Sequence, residues 1–152
     1  EYPFLHINDS KSKVSYVLSD LSIIPDAPAM KHKPEFDTEI TLDATFRSKF
    51  TKAKGALPDV ETFTLVKNGS TDTVNVVMGH SSIATNNATI PAKTTNPDIG
   101  LLSFNAKYLK SILTANKDAK ECTMKISSDG LAKLNFKADD FEVEYFMVAV
   151  QN

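Results

Sequence analysis

Residues 105–120 read NAKYLKSILTANKDAK, and their apolar side chains recur at the spacing of an amphipathic helix. At about 100° per residue, one side of such a helix is apolar and the other carries lysines and hydroxyls. The apolar side comprises Tyr108, Leu109, Ile112, Leu113 and Ala115, and the polar side comprises Lys107, Lys110, Ser111, Thr114 and Lys117. Asn105 is a candidate N-cap, and Lys117 and Lys120 lie near the end, where cations suit the exposed carbonyls. The pattern predicts a helix with one face in a core and one basic face.

A second stretch, residues 43–57 (DATFRSKFTKAKGAL), has the same design. Its apolar stripe is Phe46, Phe50, Ala53 and Leu57, and the rest of its circumference carries Arg47, Lys49, Lys52 and Lys54. Asp43 is the candidate N-cap, and Gly55 before Pro58 indicates the end of the helix.

The charges of the chain are unevenly distributed. The formal net charge is −2, yet the two helical stretches hold eight basic and two acidic residues, while the rest of the chain holds nine basic and seventeen acidic ones. A single lysine-rich helix face is most often only a solvated surface. Two such faces in one acidic chain favour a surface that attracts a polyanion.

The order of the elements repeats about every 60 residues. Candidate hairpin turns centre on Asp9, Gly69 and Gly130, which are 60 and 61 residues apart, and the two N-caps are 62 residues apart. Each repeat has the order strand, helix and three strands. The sequence therefore predicts an α+β fold of two βαβββ repeats, 36–94 and 96–152, with two helices on one face of antiparallel sheets.

The N-terminal part differs from these repeats. Residues 2–24 contain three alternating segments (YPFLHIND, KVSYVLSD and LSIIP) and match the last strands of a repeat that lacks its first strand and helix. Residues 25–35 hold three prolines and have no apolar period, which is typical of a connector. We therefore expect residues 1–24 to end a first domain that is incomplete at its N-terminus, residues 25–35 to connect, and residues 36–152 to form a complete second domain.

Patterns typical of catalysis and metal binding are missing from the sequence. Cys122 is the only cysteine, and His6, His32 and His80 lie outside any metal-ligand spacing. There is no GxSxG motif, no phosphate-binding glycine loop and no apolar run of about 20 residues that could cross a membrane. The prediction is a protein without enzymatic activity, catalytic residues, metal or cofactor.

In this order and spacing, the chain resembles the DNA polymerase sliding clamps, most closely those of T-even-like bacteriophages. The resemblance rests on the repeated element order and on three segments: Val66-Lys67-Asn68-Gly69, Phe104-Asn105 and the final strand from Tyr145 to Val150. It implies the DNA clamp fold and a ring that encircles duplex DNA without reading its sequence, tethers the replicative polymerase and has a clamp loader as a partner. Phage clamps of this type are trimers, and they act in the cytoplasm of the infected cell.

The resemblance also implies two sets of functional residues. The helix faces that line the hole would contact DNA through Arg47, Lys49, Lys52, Lys54, Lys107, Lys110, Lys117 and Lys120, with Ser48, Thr51, Ser111 and Thr114 as additional hydrogen-bond donors to phosphate. Clamps bind partner peptides in an apolar groove beside the connector, and the matching residues here are Ile23, Ile24, Pro25, Met30 and Val148. These apolar residues are equally compatible with packing of the connector onto the sheet.

Two other functions remain open from the sequence. A β-rich phage structural or assembly protein would use the repeats for protein contacts and would not encircle DNA. A hydrolase would require titratable groups that are scattered in sequence to meet in one cleft.

Overall fold

A computed structural model of the chain describes residues 3–26, 29–31, 34–83 and 85–151. The chain divides into two units, residues 1–33 and residues 34–152. Four positions of the predicted connector 25–35, namely 27, 28, 32 and 33, lie outside the described residues, as does the start of the first predicted strand at residue 2.

The first unit contains one β-hairpin. Strand β1 (Phe4–Asn8) pairs antiparallel with strand β2 (Lys13–Val17) around a turn that begins at Asp9. The Asp9 carboxylate accepts hydrogen bonds from the Lys11 amide and the Ser10 hydroxyl, both at 3.0 Å, which fixes the predicted turn. Every described residue of this unit is exposed, including the apolar ones.

The strand predicted in LSIIP is wrong, because Leu21–Ile23 form a 3-10 helix. The physical reason is a local capping interaction. The Asp20 carboxylate accepts a hydrogen bond from the Ser22 amide at 2.8 Å, and this contact stabilises a turn rather than an extended chain.

In the second unit, two βαβββ repeats follow each other as predicted. The first comprises β3 (Thr38–Thr41), α1 (Ala44–Ala56), β4 (Thr62–Lys67), β5 (Thr73–Met78) and β6 (Ala88–Thr94). The second comprises β7 (Leu102–Asn105), α2 (Ala106–Ala115), β8 (Glu121–Ile126), β9 (Leu131–Lys137) and β10 (Glu142–Val148).

Glycines at two hairpin turns have the backbone conformation that the sequence pattern requires. Gly69 between β4 and β5 has φ 81°, and Gly130 between β8 and β9 has φ 88°. Residues with a Cβ adopt this left-handed region at a cost, so glycine suits both turns. In the first turn the Asn68 side-chain oxygen also accepts a hydrogen bond from the Ser70 amide at 2.9 Å.

The two repeats share one sheet, in which β3 pairs with β6 of its own repeat as well as with a strand of the second repeat. In the described part of the second unit, eight antiparallel strands form one sheet in the order β10-β9-β8-β3-β6-β5-β4-β7. Strand β3 of the first repeat pairs with β8 of the second, and β7 of the second pairs with β4 of the first. Beyond β10, the Val150 amide donates to the Ser103 carbonyl of β7 at 2.8 Å, so the two ends of the sheet approach each other.

The core lies between this sheet and the two helices. Strands β8 and β9 alternate between buried apolar and more exposed polar residues, as half-buried antiparallel strands do. Helix α1 contributes Phe46 and Phe50, and helix α2 contributes Leu109 and Leu113. The Phe50 ring meets Phe63 of β4 edge to face, with ring centroids 5.4 Å apart. The second unit is therefore an α+β domain with two helices against an antiparallel sheet.

Candidate nucleic-acid interface

Helix α1 is oriented by its N-cap and its two phenylalanines. The Asp43 carboxylate accepts a hydrogen bond from the Phe46 amide at 2.7 Å, which confirms the predicted cap. Phe46 and Phe50, 4% and 0% exposed, bury one side of the helix. Lys49 and Lys52 consequently lie on the exposed side.

The other two cations of α1 contact protein carbonyls. Lys54 is buried, and its ammonium donates to the carbonyls of Leu57 at 3.2 Å and Pro58 at 2.8 Å, beyond the end of the helix. Arg47 is half-buried, and its Nη2 and Nη1 donate to the carbonyls of Ala119 at 3.1 Å and Asn116 at 3.4 Å. Lysines that bond the last carbonyls of a helix act as C-terminal caps.

Helix α2 begins with a similar cap. The Asn105 side-chain oxygen accepts a hydrogen bond from the Tyr108 amide at 2.9 Å, as predicted. Leu109 and Leu113 are buried, and Lys107 is exposed. Lys110 is half-buried because it leans toward α1, where its Nζ would lie 3.9 Å from a Cβ placed on Gly55.

The predicted extent of α2 is wrong at its C-terminal end. The helix stops at Ala115, where the Asn116 side-chain amide donates to the Ile112 carbonyl at 2.9 Å and Asn116 leaves the helical conformation. Lys117 therefore lies in the turn after the helix and is exposed. Lys120 lies just before β8 and pairs with Asp139 at 2.6 Å. Neither lysine belongs to the helix face on which the sequence placed it.

Tyr108 also differs from its predicted position. The helical period assigned it to the apolar side of α2, but its side chain is 63% exposed. Ala106, Leu109 and Leu113 lie closer to the centre of the buried stripe, and this shift of the stripe leaves Tyr108 at its margin. An aromatic ring is thus exposed next to Lys107.

The two helices lie side by side and enclose a groove of about 350 Å³ between them. Three cations, three hydroxyl-bearing residues and two apolar residues line it: Arg47, Lys52, Lys117, Ser48, Thr51, Thr114, Ala44 and Leu113. Sequence periodicity described each helix separately. The groove could not be predicted from it, because the groove depends on how the helices pack.

Ion pairing in the described part of the chain occurs outside the exposed helix surface. The pairs are Lys67–Asp98, Lys120–Asp139, Lys125–Glu39 and Lys133–Glu144. Among the described residues, no acidic side chain pairs with the exposed or half-exposed lysines of the helix layer, which are Lys49, Lys52, Lys107, Lys110 and Lys117. Helices α1 and α2 themselves contain no acidic residue. The two helices therefore present lysines that make no ion pair, and Asp59 and Glu61 are the carboxylates that share a pocket with one of them, Lys107. Such a basic surface attracts anions.

The opposite face of the sheet has compensated charge. A cavity of about 400 Å³ there is lined by four glutamates and three lysines: Glu39, Glu121, Glu142, Glu144, Lys125, Lys133 and Lys137. Two of the ion pairs, Lys125–Glu39 at 3.5 Å and Lys133–Glu144, lie in this cavity. On this face, in contrast to helices α1 and α2, glutamates and lysines therefore lie side by side.

The residues predicted for a partner-peptide groove are exposed. Ile23, Ile24, Pro25 and Met30 belong to the first unit and Val148 to the second, and the exposed fractions of Ile23 and Val148 are 71% and 74%. Each of these five side chains is therefore accessible to a binding partner on the surface of the unit to which it belongs.

The described residues contain no group of three or more His, Cys, Asp or Glu side chains arranged to hold a metal ion. Cys122 is buried on β8, and burial raises the pKa of its thiol to about 12, while the nearby Arg47 charge acts in the opposite direction. Neither described helix is long and apolar enough to span a membrane.

Comparison with known proteins identifies the fold. No protein-family model and no curated protein matches the chain. Among solved structures, the chain is similar to the proliferating cellular nuclear antigen of Entamoeba histolytica, with a TM-score of 0.68 and 16% sequence identity. The match covers 97% of this chain and 59% of that protein, so the chain spans less than two thirds of its structural neighbour. The second unit, with its two helices and antiparallel sheet, matches the α+β clamp fold of that neighbour.

Proposed function

We propose that the chain is part of a DNA sliding clamp of the T-even-like phage type, a ring that encircles duplex DNA and tethers a replicative polymerase. The observation that supports this most directly is the layer of unpaired lysines on α1 and α2, on a fold shared with a clamp protein. Lysines that meet phosphates without contacting bases allow the ring to slide, because the contact does not depend on sequence.

Five lysines carry the proposed DNA contact: Lys49, Lys52, Lys107, Lys110 and Lys117. Arg47, Lys54 and Lys120 have protein partners, and we propose that they support the surface rather than contact DNA directly. Retention by encirclement requires only weak, salt-sensitive attraction from these lysines.

The remaining parts of the proposal concern assembly. Residues 1–24 would belong to a first clamp domain, residues 25–35 would connect it to the second, and three subunits would close the ring with no catalytic residue or cofactor involved. Polymerase and clamp-loader peptides would contact the exposed Ile23, Ile24, Pro25 and Met30 of the first unit and, on the second unit, Val148. Such a ring would act in the cytoplasm of the infected cell.

A matched pair of variants tests the DNA-facing surface. Lys49→Glu with Lys107→Glu reverses two charges on the helix layer, whereas Lys93→Glu with Lys137→Glu reverses two exposed charges on β6 and β9. Binding to a duplex oligonucleotide, measured by fluorescence anisotropy at low salt, should weaken at least about 10-fold in the helix pair and change little in the sheet pair. Equal effects in both pairs would contradict the proposed surface.

Encirclement requires a topological test. The full-length protein is loaded by its clamp loader onto nicked circular DNA, and retention is compared before and after the DNA is linearised. Release on linearisation is the expected result, because a ring slides off free ends. Equal retention on both forms would indicate ordinary contact binding, and no retention on either would favour the structural or assembly protein.

A further inference from the structure

The groove between α1 and α2 combines an apolar wall with cations on both sides. Lys52 comes from α1, and Lys117 comes from the turn after α2. Leu113, at 3% exposed, is the most buried of the residues that line it. A sugar–phosphate unit has the same amphiphilic character, with deoxyribose carbons beside a charged phosphate.

Some of the polar side chains that line the groove have hydrogen-bond donors free for a ligand, and one does not. Thr114 donates its hydroxyl proton to the Lys110 carbonyl at 2.8 Å, so it presents only acceptor capacity to the groove. Among the described residues, Ser48 and Thr51 have no side-chain hydrogen bond, and Lys52 and Lys117 have no acidic partner. The free donors therefore suit an anion with several acceptor oxygens.

Arg47 links the two sides of the groove. Its guanidinium lies on α1 and bonds the carbonyls of Asn116 and Ala119, which flank Lys117 in sequence. Asn116 is also held by its side-chain bonds to the Ile112 carbonyl and the Tyr145 hydroxyl. The turn that carries Lys117 is therefore anchored to α1 on one side and to α2 and β10 on the other.

We infer that this groove holds one phosphodiester of the duplex backbone, with Lys52 and Lys117 as phosphate ligands from its two sides. Ser48 and Thr51 donate to the same phosphate. Arg47 is a positioning residue, since its guanidinium is already engaged by two carbonyls and it acts by holding the Lys117 turn. The inference rests on the proposed function, because it requires the helix layer to face duplex DNA.

Two double variants with the same charge change test the phosphate site. Lys52→Gln with Lys117→Gln removes the groove cations, and Lys49→Gln with Lys107→Gln removes two exposed cations elsewhere on the helix layer. For a labelled duplex oligonucleotide, we expect the dissociation constant to rise about 10-fold in the groove pair and about 3-fold in the other pair. The slope of log K against log salt should fall by about 1 to 2 in the groove pair.

The outcomes separate this inference from the proposed function. Equal losses in the two pairs would overturn the phosphate site and leave the DNA-facing surface intact. Absence of duplex binding by the unmodified chain at low salt would overturn both.

Arg47 is tested by Arg47→Met, which keeps the alkyl chain and removes the donors. We expect it to weaken duplex binding as much as Lys117→Gln does and to add little to that variant, because both changes act through the same lysine. Hydrogen exchange of the amides at 117–120 should rise in Arg47→Met and stay unchanged in Lys52→Gln. Additive losses without a change in exchange would show that Arg47 contacts DNA itself. If Arg47→Met fails to fold, Arg47→Lys serves in the same cycle, since it retains one donor group.

Discussion

The ammonium group of Lys54 stabilises the end of helix α1. It is buried and donates to the carbonyls of Leu57 and Pro58, which lie beyond the last helical residue. The Leu57 carbonyl also accepts a hydrogen bond from the Val60 amide at 3.2 Å, so Lys54 is its second donor. A charged donor on these two carbonyls contributes more to folding than a solvated lysine does.

Lys54→Met should therefore destabilise the domain by about 1–3 kcal/mol, because the Pro58 carbonyl loses its charged donor and the Leu57 carbonyl keeps only the Val60 amide. The matched variant Lys52→Met, at an exposed position of the same helix, should change the stability by less than about 0.5 kcal/mol. Urea unfolding of the two variants measures the difference. A Lys54→Met protein as stable as the unmodified chain would show that water replaces the ammonium at no cost.

Cys122 should behave as an inert thiol while the protein is folded. Burial raises its pKa to about 12, so the reactive thiolate is scarce at pH 8. Ellman's reagent should react slowly with the native protein and at once in denaturant. A thiol with a raised pKa in the folded state also makes stability fall as the pH rises from 9 toward 12, since the unfolded thiol ionises first. Fast reaction of the folded protein would contradict this assignment.

Only some of the roles of individual residues could be predicted from the sequence. Both N-caps could be predicted, because Asp43 and Asn105 act on amides three residues away. Lys54 and Lys52 look alike in the sequence, and only the path of the chain after Gly55 brings carbonyls to Lys54. Helical periodicity places Tyr108 on the apolar side of α2, but the width of the buried stripe depends on how the helix packs, and the Tyr108 side chain is exposed.

At the scale of elements, helix α2 depends on its buried stripe. Leu113 is 3% exposed and lies in the core cluster, whereas the neighbouring Ser111 is exposed. Because α2 has only ten residues, its stability depends on tertiary packing more than on the helix propensity of its residues.

Leu113→Asp should unfold the domain or lower its melting temperature by more than about 10 °C, because it buries a charge and removes apolar contacts. Ser111→Asp, two residues earlier, should shift the melting temperature only slightly. Thermal unfolding followed by circular dichroism measures both. A normal melting temperature for Leu113→Asp would contradict the packing of α2 described above.

The ends of the elements were harder to predict than their order. The amphipathic pattern of residues 105–120 predicts a helix that includes Lys117, but the helix ends at Ala115, where the side-chain and backbone amides of Asn116 both donate to the Ile112 carbonyl. The strand predicted in LSIIP was wrong for the same physical reason, a side chain that bonds the local backbone. The candidate groove needed both the helix end and the helix packing, so periodicity could not reveal it.

At the scale of the molecule, the second unit contains a core of its own. The buried apolar cluster lies between Ile40 and Met147, while every described residue of the first unit is exposed. The hairpin face formed by Leu5, Ile7, Val14 and Tyr16 buries little by itself, and a two-stranded hairpin is marginal alone in water.

A chain that begins at residue 34 should therefore fold and melt at the same temperature as the longer chain. A chain that begins at residue 45 should fail to fold, because it loses β3 from the middle of the sheet and the N-cap of α1. Differential scanning calorimetry compares the three proteins. A fall of more than about 5 °C in the chain from residue 34 would mean that the first unit stabilises the second.

The pairing of β3 with a strand of the second repeat also affects how the protein is synthesised. Ile40 of β3 pairs with Met124 of β8, which the ribosome adds 84 residues later. At typical translation rates this delay lasts roughly 4–17 s. During that time the edge of β3 that β8 occupies in the finished sheet has no partner strand, and unpaired strand edges promote aggregation. We expect aggregation of nascent chains, more than instability of the finished protein, to limit its yield in a cell.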